Sequence, residues 1–272
     1  MKIETGPIAP VFLAHGAPTL ATADIPAHHF LKGFAGGRPG PTGIVVLSPH
    51  WETPDLRVSA PGSLKTIHDF RGFPDALYEI SYPATATAEL VQAVTQCLTD
   101  SGHTTRQDAS WGLDHGAWVP LSLAFPDAGI PVVALSLPHG STPESVFALG
   151  RSLTPLADDG VLIVGSGSTT HNLKAIEPEG TAPPDWATAF DAWIDEGLQA
   201  GDIGYFLDLD QAPHFRTAHP TEEHLLPLFF AFGAAGDGAR PELLHRSYAH
   251  GSLSMSYFSF SAPSRGAVPR AS

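Results

Sequence analysis

The chain has 272 residues, with 28 acidic and 14 basic side chains and a formal net charge of −14 at pH 7. This length predicts one or two domains with a core of their own, and the acidic balance argues against a nucleic acid as partner. The single cysteine, Cys97, excludes a disulfide framework, a cysteine-rich zinc site and a four-thiolate iron–sulfur cluster, whereas histidines number 14.

The two ends of the chain carry little apolar sequence. Glu4 and Pro7 stand where an export signal needs basic residues and an unbroken apolar run. No stretch approaches the roughly 18 consecutive apolar residues of a membrane span. We therefore expect a cytoplasmic protein with no membrane partner, folded as one domain over residues 1–261, with a short polar tail over residues 262–272. The sequence leaves open whether it is a monomer or a homo-oligomer.

Short apolar runs bounded by glycine and proline predict the strands. In chain order they are residues 10–14, 43–47, 131–135 and 160–164. Each run is apolar on both faces, which is typical of the buried strands of a parallel sheet.

Two helices are predicted between the second and the fourth strand. An apolar stripe over residues 88–101 predicts the first, which ends at Gly102 because glycine favours the C-terminal position of a helix. Residues 141–144 are typical of a capping box with Pro143 in the first turn, and they predict a helix through Leu153.

Two more helices are predicted after the fourth strand. One covers residues 186–198, and the other begins at Thr221, where Glu222 and Glu223 suit the positive end of a helix. Strands that alternate with helices predict an α/β fold. We expect a single domain with a central, mostly parallel sheet and helices on both faces.

Histidines follow three of the predicted strands. His15 follows the first, His50 follows the second, and His171 follows the fourth after a glycine–serine loop. Ligands of open α/β sheets bind outside the carboxyl ends of the strands, so we expect the active site there. The alternative for each residue is a histidine that is satisfied within a tight turn.

Two further histidines are candidates for the same site. His224 is expected one turn into the helix that begins at Thr221, and His115 lies between glycines beside Asp114, which is placed to orient its ring. The alternatives are a surface position for His224 and a helix-capping role for His115. Imidazoles without an available thiolate favour Fe(II), Zn(II) or Cu(II) over Mg or Ca.

Seven stretches carry a resemblance to a known family. They are FLAHGAP (12–18), VLSPHW (46–51), TIHDFRGFP (66–74), WGLDHGAW (111–118), SGSTTHNL (166–173), HPTEEHLLPL (219–228) and GSLSM (251–255). In these stretches the chain resembles the class III extradiol ring-cleavage dioxygenases, within them the LigB-like subgroup of the 4,5-DOPA dioxygenase type.

The resemblance implies roles for the candidate residues. It implies that His15, His50 and His224 bind a metal ion, and that His171 can become a fourth ligand when zinc is bound. The wider class has a glutamate in place of the third histidine. His171 is implied as the catalytic acid and base, and His115 as a second catalytic histidine that contacts substrate. The expected substrate pocket includes His68, Trp51 and Tyr78.

The activity that this implies is Fe(II)-dependent. The enzyme would be an oxidoreductase that inserts both atoms of O₂ into a catechol, with Zn(II) able to occupy the purified or crystallised form. Two alternatives stay open: a zinc hydrolase on the same histidines, and a non-catalytic binding protein similar to the Memo proteins. The candidates for binding an anionic group of the substrate are Arg71, Lys174, Arg216 and Arg246.

Overall fold

The structure is a computed structural model that describes residues 6–38 and 40–262. Residues 1–5, and residues 263–272 of the predicted polar tail, lie outside the described part of the chain. None of the helices within the described part combines the length and the hydropathy that crossing a membrane requires.

Strands and α-helices alternate along most of the described chain. The strands are β1 (Val11–Ala14), β2 (Gly43–Thr53), β3 (Arg57–Ser59), β4 (Gly62–Ser63), β5 (Thr85–Ala86), β6 (Arg106–Asp108), β7 (Val132–Pro138), β8 (Val161–Gly167), β9 (Arg240–His245), β10 (Tyr248–Ala249), β11 (Leu253–Ser254) and β12 (Tyr257–Ser261). The α-helices are α1 (Pro26–Gly33), α2 (Ala88–Asp100), α3 (His115–Ala124), α4 (Pro143–Arg151), α5 (Thr154–Asp158), α6 (Asp185–Ala200), α7 (Phe215–Ala218) and α8 (Leu226–Ala234). Short 3-10 helices lie at Pro18–Ala21, Asp75–Leu77, Ile203–Phe206 and Leu209–Gln211.

One large sheet forms the centre of the domain. Its strand order is β6-β3-β7-β2-β8-β1-β12-β9. The neighbours β7, β2, β8 and β1 run parallel, and β12 and β9 add an antiparallel edge beyond β1. The four strands predicted from apolar runs are these central parallel strands. The predicted α/β class with a mostly parallel sheet is confirmed.

Helices cover both faces of the sheet, and two adjacent residues of β8 show this directly. A Cβ at Gly165 would collide with the backbone of Pro227 in α8, so the glycine lets α8 lie against the strand. The hydroxyl of the next residue, Ser166, donates to the backbone oxygen of Gly116 in α3. Because successive side chains of a strand point to opposite faces, α8 and α3 cover opposite sides.

Two of the predicted strands are longer than their apolar runs. β2 continues through Pro49 and His50, and its pairing with β7 is irregular between Leu47 and Glu52. Proline is tolerated there because the ladder of hydrogen bonds is interrupted. β8 continues to Gly167, so part of the predicted glycine–serine loop is strand. His50 therefore lies inside a strand, and the prediction that it follows one is wrong.

The prediction that a helix begins at Thr221 is also wrong. Helix α8 begins at Leu226, and residues 221–225 form bends and turns. Pro227 lies in the first turn of α8, where a residue without an N–H is tolerated. His224 consequently precedes the helix.

The helix predicted through Leu153 ends earlier, at Arg151. Pro155 lacks the N–H that would bond to the Arg151 carbonyl four residues before it. That carbonyl instead accepts a hydrogen bond of 2.9 Å from the Thr154 hydroxyl. Helices α2 and α6 confirm the other two predicted helices, with end points that differ by at most two residues.

Candidate metal centre

Five imidazoles lie together at the carboxyl edge of the parallel strands. The ring centroid of His50 is 5.0 Å from that of His15, 4.1 Å from that of His115 and 4.9 Å from that of His224. The ring of His171 is stacked on that of His224, with 3.5 Å between centroids. The structure thus brings together all five histidines that the sequence singled out.

Each of the five histidines comes from a different part of the fold. His15 directly follows β1, His50 lies in β2, His171 follows β8, His115 is the first residue of α3, and His224 lies two residues before α8. The strands β1, β2 and β8 are adjacent and parallel, so their carboxyl ends meet at one edge. The N-terminal ends of α3 and α8 lie at the same edge of the sheet, on its opposite faces.

Hydrogen bonds fix the rings of His15 and His224. Ser166 Oγ donates its proton to a backbone oxygen and therefore accepts from His15 Nδ1, 3.0 Å away. The carboxylate of Glu223 accepts from His224 Nδ1 at 2.9 Å. A ring that donates from Nδ1 carries its lone pair on Nε2. Both rings are therefore held in the form in which Nε2 presents a lone pair that suits a metal ion.

Asp69 holds the ring of His115. Its Oδ1 accepts a 2.9 Å hydrogen bond from the backbone N–H of His115, and its Oδ2 accepts one of 2.9 Å from His115 Nδ1. The same Oδ2 lies 3.5 Å from His50 Nδ1. Burial would raise the pKa of Asp69, but its contacts with His115 and His50 lower the pKa below the ordinary value. The sequence signal for Asp69 was its place in the stretch TIHDFRGFP, beside His68.

Asp114 does not orient the ring of His115, contrary to the expectation from its position. Its side chain caps α3 by accepting from the backbone N–H of Ala117, and it accepts a 2.6 Å hydrogen bond from the hydroxyl of Ser48. A side chain at Gly116 would collide with Ser48 and His50, so only glycine fits where α3 meets β2. Asp114 therefore positions the backbone around His50 and His115.

The donor atoms fit a metal ion. The Nε2 atoms of His15 and His50 are 3.1 Å apart, and two such nitrogens repel each other unless a proton or a cation lies between them. His224 Nε2 is buried and has no hydrogen-bond partner in the described part of the chain. Two groups of residues each have donor atoms that all lie within 4.8 Å of one another: one group is His15, His50 and His115, and the other is His171, Glu223 and His224.

Burial favours the neutral form of three of these imidazoles, those of His15, His171 and His224. It lowers the pKa of His15 and of His224 well below the ordinary value, and the neighbouring histidines lower it further. Burial likewise lowers the pKa of His171 to about 4, against the opposing charge of Glu223. A metal ion binds neutral imidazole, so these three rings are in the form that suits a metal ion near neutral pH.

Aromatic side chains flank the cluster on the His115 side. The ring of Phe70 meets that of His115 edge to face at 5.9 Å, and Tyr78 lies 5.1 Å from Phe70. We call Phe70, Tyr78 and His68 the aromatic wall. His68 donates from Nε2 to the backbone oxygen of Ile80 at 3.0 Å, which fixes the position of its ring. Trp51 is buried and stacked parallel to Trp111.

Two of the four candidate cations are already paired with carboxylates. Arg216 contacts Glu222 at 3.0 Å, and Arg246 contacts Asp195 at 2.6 Å. These two side chains are less suited to bind an anionic substrate group. The other two candidates are exposed: Arg71 and Lys174.

Comparisons with known proteins agree with this geometry. A family model described as the catalytic LigB subunit of aromatic ring-opening dioxygenase matches residues 12–260. The chain is 40% identical to a 4,5-DOPA dioxygenase extradiol of Beta vulgaris over 258 residues, which are 92% of this chain and 96% of the relative. It is 36% identical to a protein of the same name from Escherichia coli K12, over 85% of this chain and 86% of the relative. A crystal structure of the uncharacterized protein JW3007 from Escherichia coli K12 superimposes with a TM-score of 0.76 at 29% identity, over 93% of this chain and 99% of that one.

Proposed function

Because this chain belongs to the LigB family of aromatic ring-opening dioxygenases and is an enzyme of that kind, we propose that it is a non-haem, Fe(II)-dependent extradiol dioxygenase. It inserts both atoms of O₂ into a catechol. The observation that carries the proposal is the group of five imidazoles at one edge of the sheet, with no cysteine among them. The proposed catalytic domain covers residues 1–261.

The proposed metal ligands are the Nε2 atoms of His15, His50 and His224. The hydrogen bonds from Nδ1 of His15 and His224 support this assignment, as does the unpartnered Nε2 of His224. When bound, Fe(II) supplies the redox chemistry for O₂ and a Lewis acid that lowers the pKa of a catechol hydroxyl. If Zn(II) were bound, His171 would be the residue to supply a fourth ligand.

The proposed acid and base is His171. Its imidazole is neutral at physiological pH because burial lowers its pKa to about 4, so a ring nitrogen is free to accept the proton of a catechol hydroxyl. The same ring can return the proton after the aromatic ring has opened. His115 assists from Nε2, since its Nδ1 is held by Asp69.

The proposed substrate is a small catechol, and the pocket for its ring includes His68, Trp51 and Tyr78. The aromatic side chains on the His115 side support a planar, apolar ring in this place, because aromatic rings pack edge to face or offset against one another. The names of the relatives support a catechol of the DOPA kind. A cytoplasmic enzyme, monomeric or homo-oligomeric, with no nucleic-acid or membrane partner completes the proposal.

The test is reconstitution of the metal-free protein with Fe(II) under anaerobic conditions, followed by addition of O₂ and one of a panel of catechols that includes DOPA. The proposal expects O₂ uptake and a yellow, ring-opened product from at least one catechol. If the Zn(II)-loaded protein instead hydrolysed the added compound in the absence of O₂, the result would support a zinc hydrolase. A protein that binds catechols without O₂ uptake at any Fe(II) concentration would support a non-catalytic binding protein.

A further inference from the structure

Asp69 contacts two imidazoles of the cluster through one carboxylate oxygen. Its Oδ2 lies 2.9 Å from His115 Nδ1 and 3.5 Å from His50 Nδ1. In the proposed function these two histidines have different tasks, since His50 is a metal ligand and His115 assists proton transfer. One side chain thus contacts both parts of the site.

The two oxygens of Asp69 do different work. Oδ1 accepts the backbone N–H of His115, which is the first residue of α3 and has no partner within the helix. Oδ2 accepts from the ring of His115. The first contact anchors a helix end, and the second decides which ring nitrogen of His115 carries the proton. A carboxylate without a proton only accepts, so His115 must donate from Nδ1 and carry its lone pair on Nε2.

The backbone around Asp69 is held firmly on both sides. Before it, the backbone oxygen of Ile67 accepts a 3.0 Å hydrogen bond from the indole of Trp118, and the ring of His68 bonds to Ile80. After it, Phe70 is buried in the aromatic wall. The Asp69 side chain itself is 17% exposed. Such support is what a carboxylate needs to fix the orientation of a second side chain.

We propose that Asp69 is a positioning residue that holds His115 as the tautomer with a free Nε2 and, through the contact of its Oδ2 with His50, links a proposed metal ligand to a proposed proton-transfer residue. The role of Asp69 in proton transfer rests on the proposed function. The effect of Asp69 on the tautomer of His115 concerns the metal-free protein and does not depend on that function.

The decisive variant is Asp69→Asn. The amide oxygen can still accept the backbone N–H of His115, while the NH₂ group faces the ring and turns Nδ1 into an acceptor. We expect His115 to change from the Nδ1–H to the Nε2–H tautomer in long-range ¹H–¹⁵N spectra of the metal-free protein, with its signals assigned by their loss in His115→Asn. We expect the affinity for Zn(II), measured by competition with a chelator, to fall by about 10- to 100-fold.

The matched control is Asp75→Asn, a change of the same chemistry in the same loop, at the start of a 3-10 helix. It should leave the tautomer, the Zn(II) affinity and turnover unchanged. At saturating Fe(II), Asp69→Asn should lower kcat by about 10²- to 10⁴-fold with little change in KM, because proton transfer is impaired rather than substrate binding.

Two results would overturn the proposal. One is an Asp69→Asn protein in which His115 keeps the Nδ1–H tautomer and Zn(II) affinity stays within about twofold of the original, since outer-shell partners typically matter more than this. If Asp69→Asn does not fold, Asp69→Ala decides: added formate should restore Zn(II) affinity in part, and an absence of rescue contradicts the proposal. If the original protein shows no turnover, the proposed function fails while the tautomer and zinc measurements still test Asp69.

Discussion

The imidazoles of His171 and His224 lie face to face, with 3.5 Å between their centroids and 7° between their planes. His224 is fixed through its Nδ1 by Glu223 and is buried, whereas His171 is half-buried. The proposed proton-transfer residue therefore rests directly on a proposed metal ligand. A proton and a metal-bound substrate would be handled by adjacent parallel rings.

His171→Ala should lower kcat at saturating Fe(II) and leave KM nearly unchanged. General acid–base catalysis is worth about 10²- to 10⁴-fold, and the ring does not have to hold the metal. The measurement is steady-state O₂ uptake with the best catechol. The matched control is His29→Ala, because His29 is exposed and contacts Asp24 at the surface. Normal turnover of His171→Ala would remove this residue from the proton-transfer role.

His224→Ala and His115→Asn should separate the two possible ligand sets. If His224 is the third ligand beside His15 and His50, its loss should weaken Fe(II) binding strongly. His115→Asn should then retain the metal and lose turnover. Metal content after dialysis and kcat at saturating Fe(II) measure the two effects. The opposite pattern would assign the third position to His115, in the group that it forms with His15 and His50.

The metal-free protein should lose stability as the pH falls below about 6.5. Burial lowers the pKa of His171 and of His219 to about 4 in the folded state, whereas the unfolded value is about 6.5. Between these pH values the histidine is protonated in the unfolded chain and neutral in the folded protein. Each such histidine therefore lowers the free energy of unfolding by about 1.4 kcal/mol for each pH unit. Urea unfolding at pH 7, 6 and 5 measures this. A free energy of unfolding that is constant or rises towards pH 5 would contradict it.

Gly165→Ala should destabilise the protein by about 1–3 kcal/mol, the usual cost of overpacking a core. The added Cβ would collide with the backbone of Pro227 and push α8 away from β8, which also moves His224. Gly129→Ala is the control, because a Cβ at that exposed position meets nothing within 4 Å. Thermal unfolding of both variants is the measurement, and equal stability of the two would show that α8 can shift without cost.

The sequence predicted the centre of the fold better than its edges. The buried strands β1, β2, β7 and β8 are recognisable because they are apolar on both faces. The edge strand β9 carries an exposed leucine, Leu243, among polar residues, and such a mixture has no clear period. Two adjacent glutamates are typical of the first turn of a helix, but Glu223 precedes α8 and instead accepts a hydrogen bond from the ring of His224.

The histidines of the site were predictable, but the contacts that their supporting residues make with them were not. His15, His50 and His171 stand out because they follow apolar runs. Asp69 and Ser166 act through contacts between residues that are distant in sequence, 46 residues apart for Asp69 and His115 and 151 for His15 and Ser166. No local pattern encodes such a pair. It becomes visible only when the sheet and α3 are folded against each other.

The most direct test of the central claim is turnover of the Fe(II)-reconstituted protein with a catechol under ¹⁸O₂, with mass spectrometry of the ring-opened product. The proposed dioxygenase incorporates both labelled oxygen atoms into one product molecule and gives no product without O₂ or without Fe(II). A product that carries oxygen from water alone, or one that forms equally well with Zn(II) in the absence of O₂, would contradict the proposed reaction.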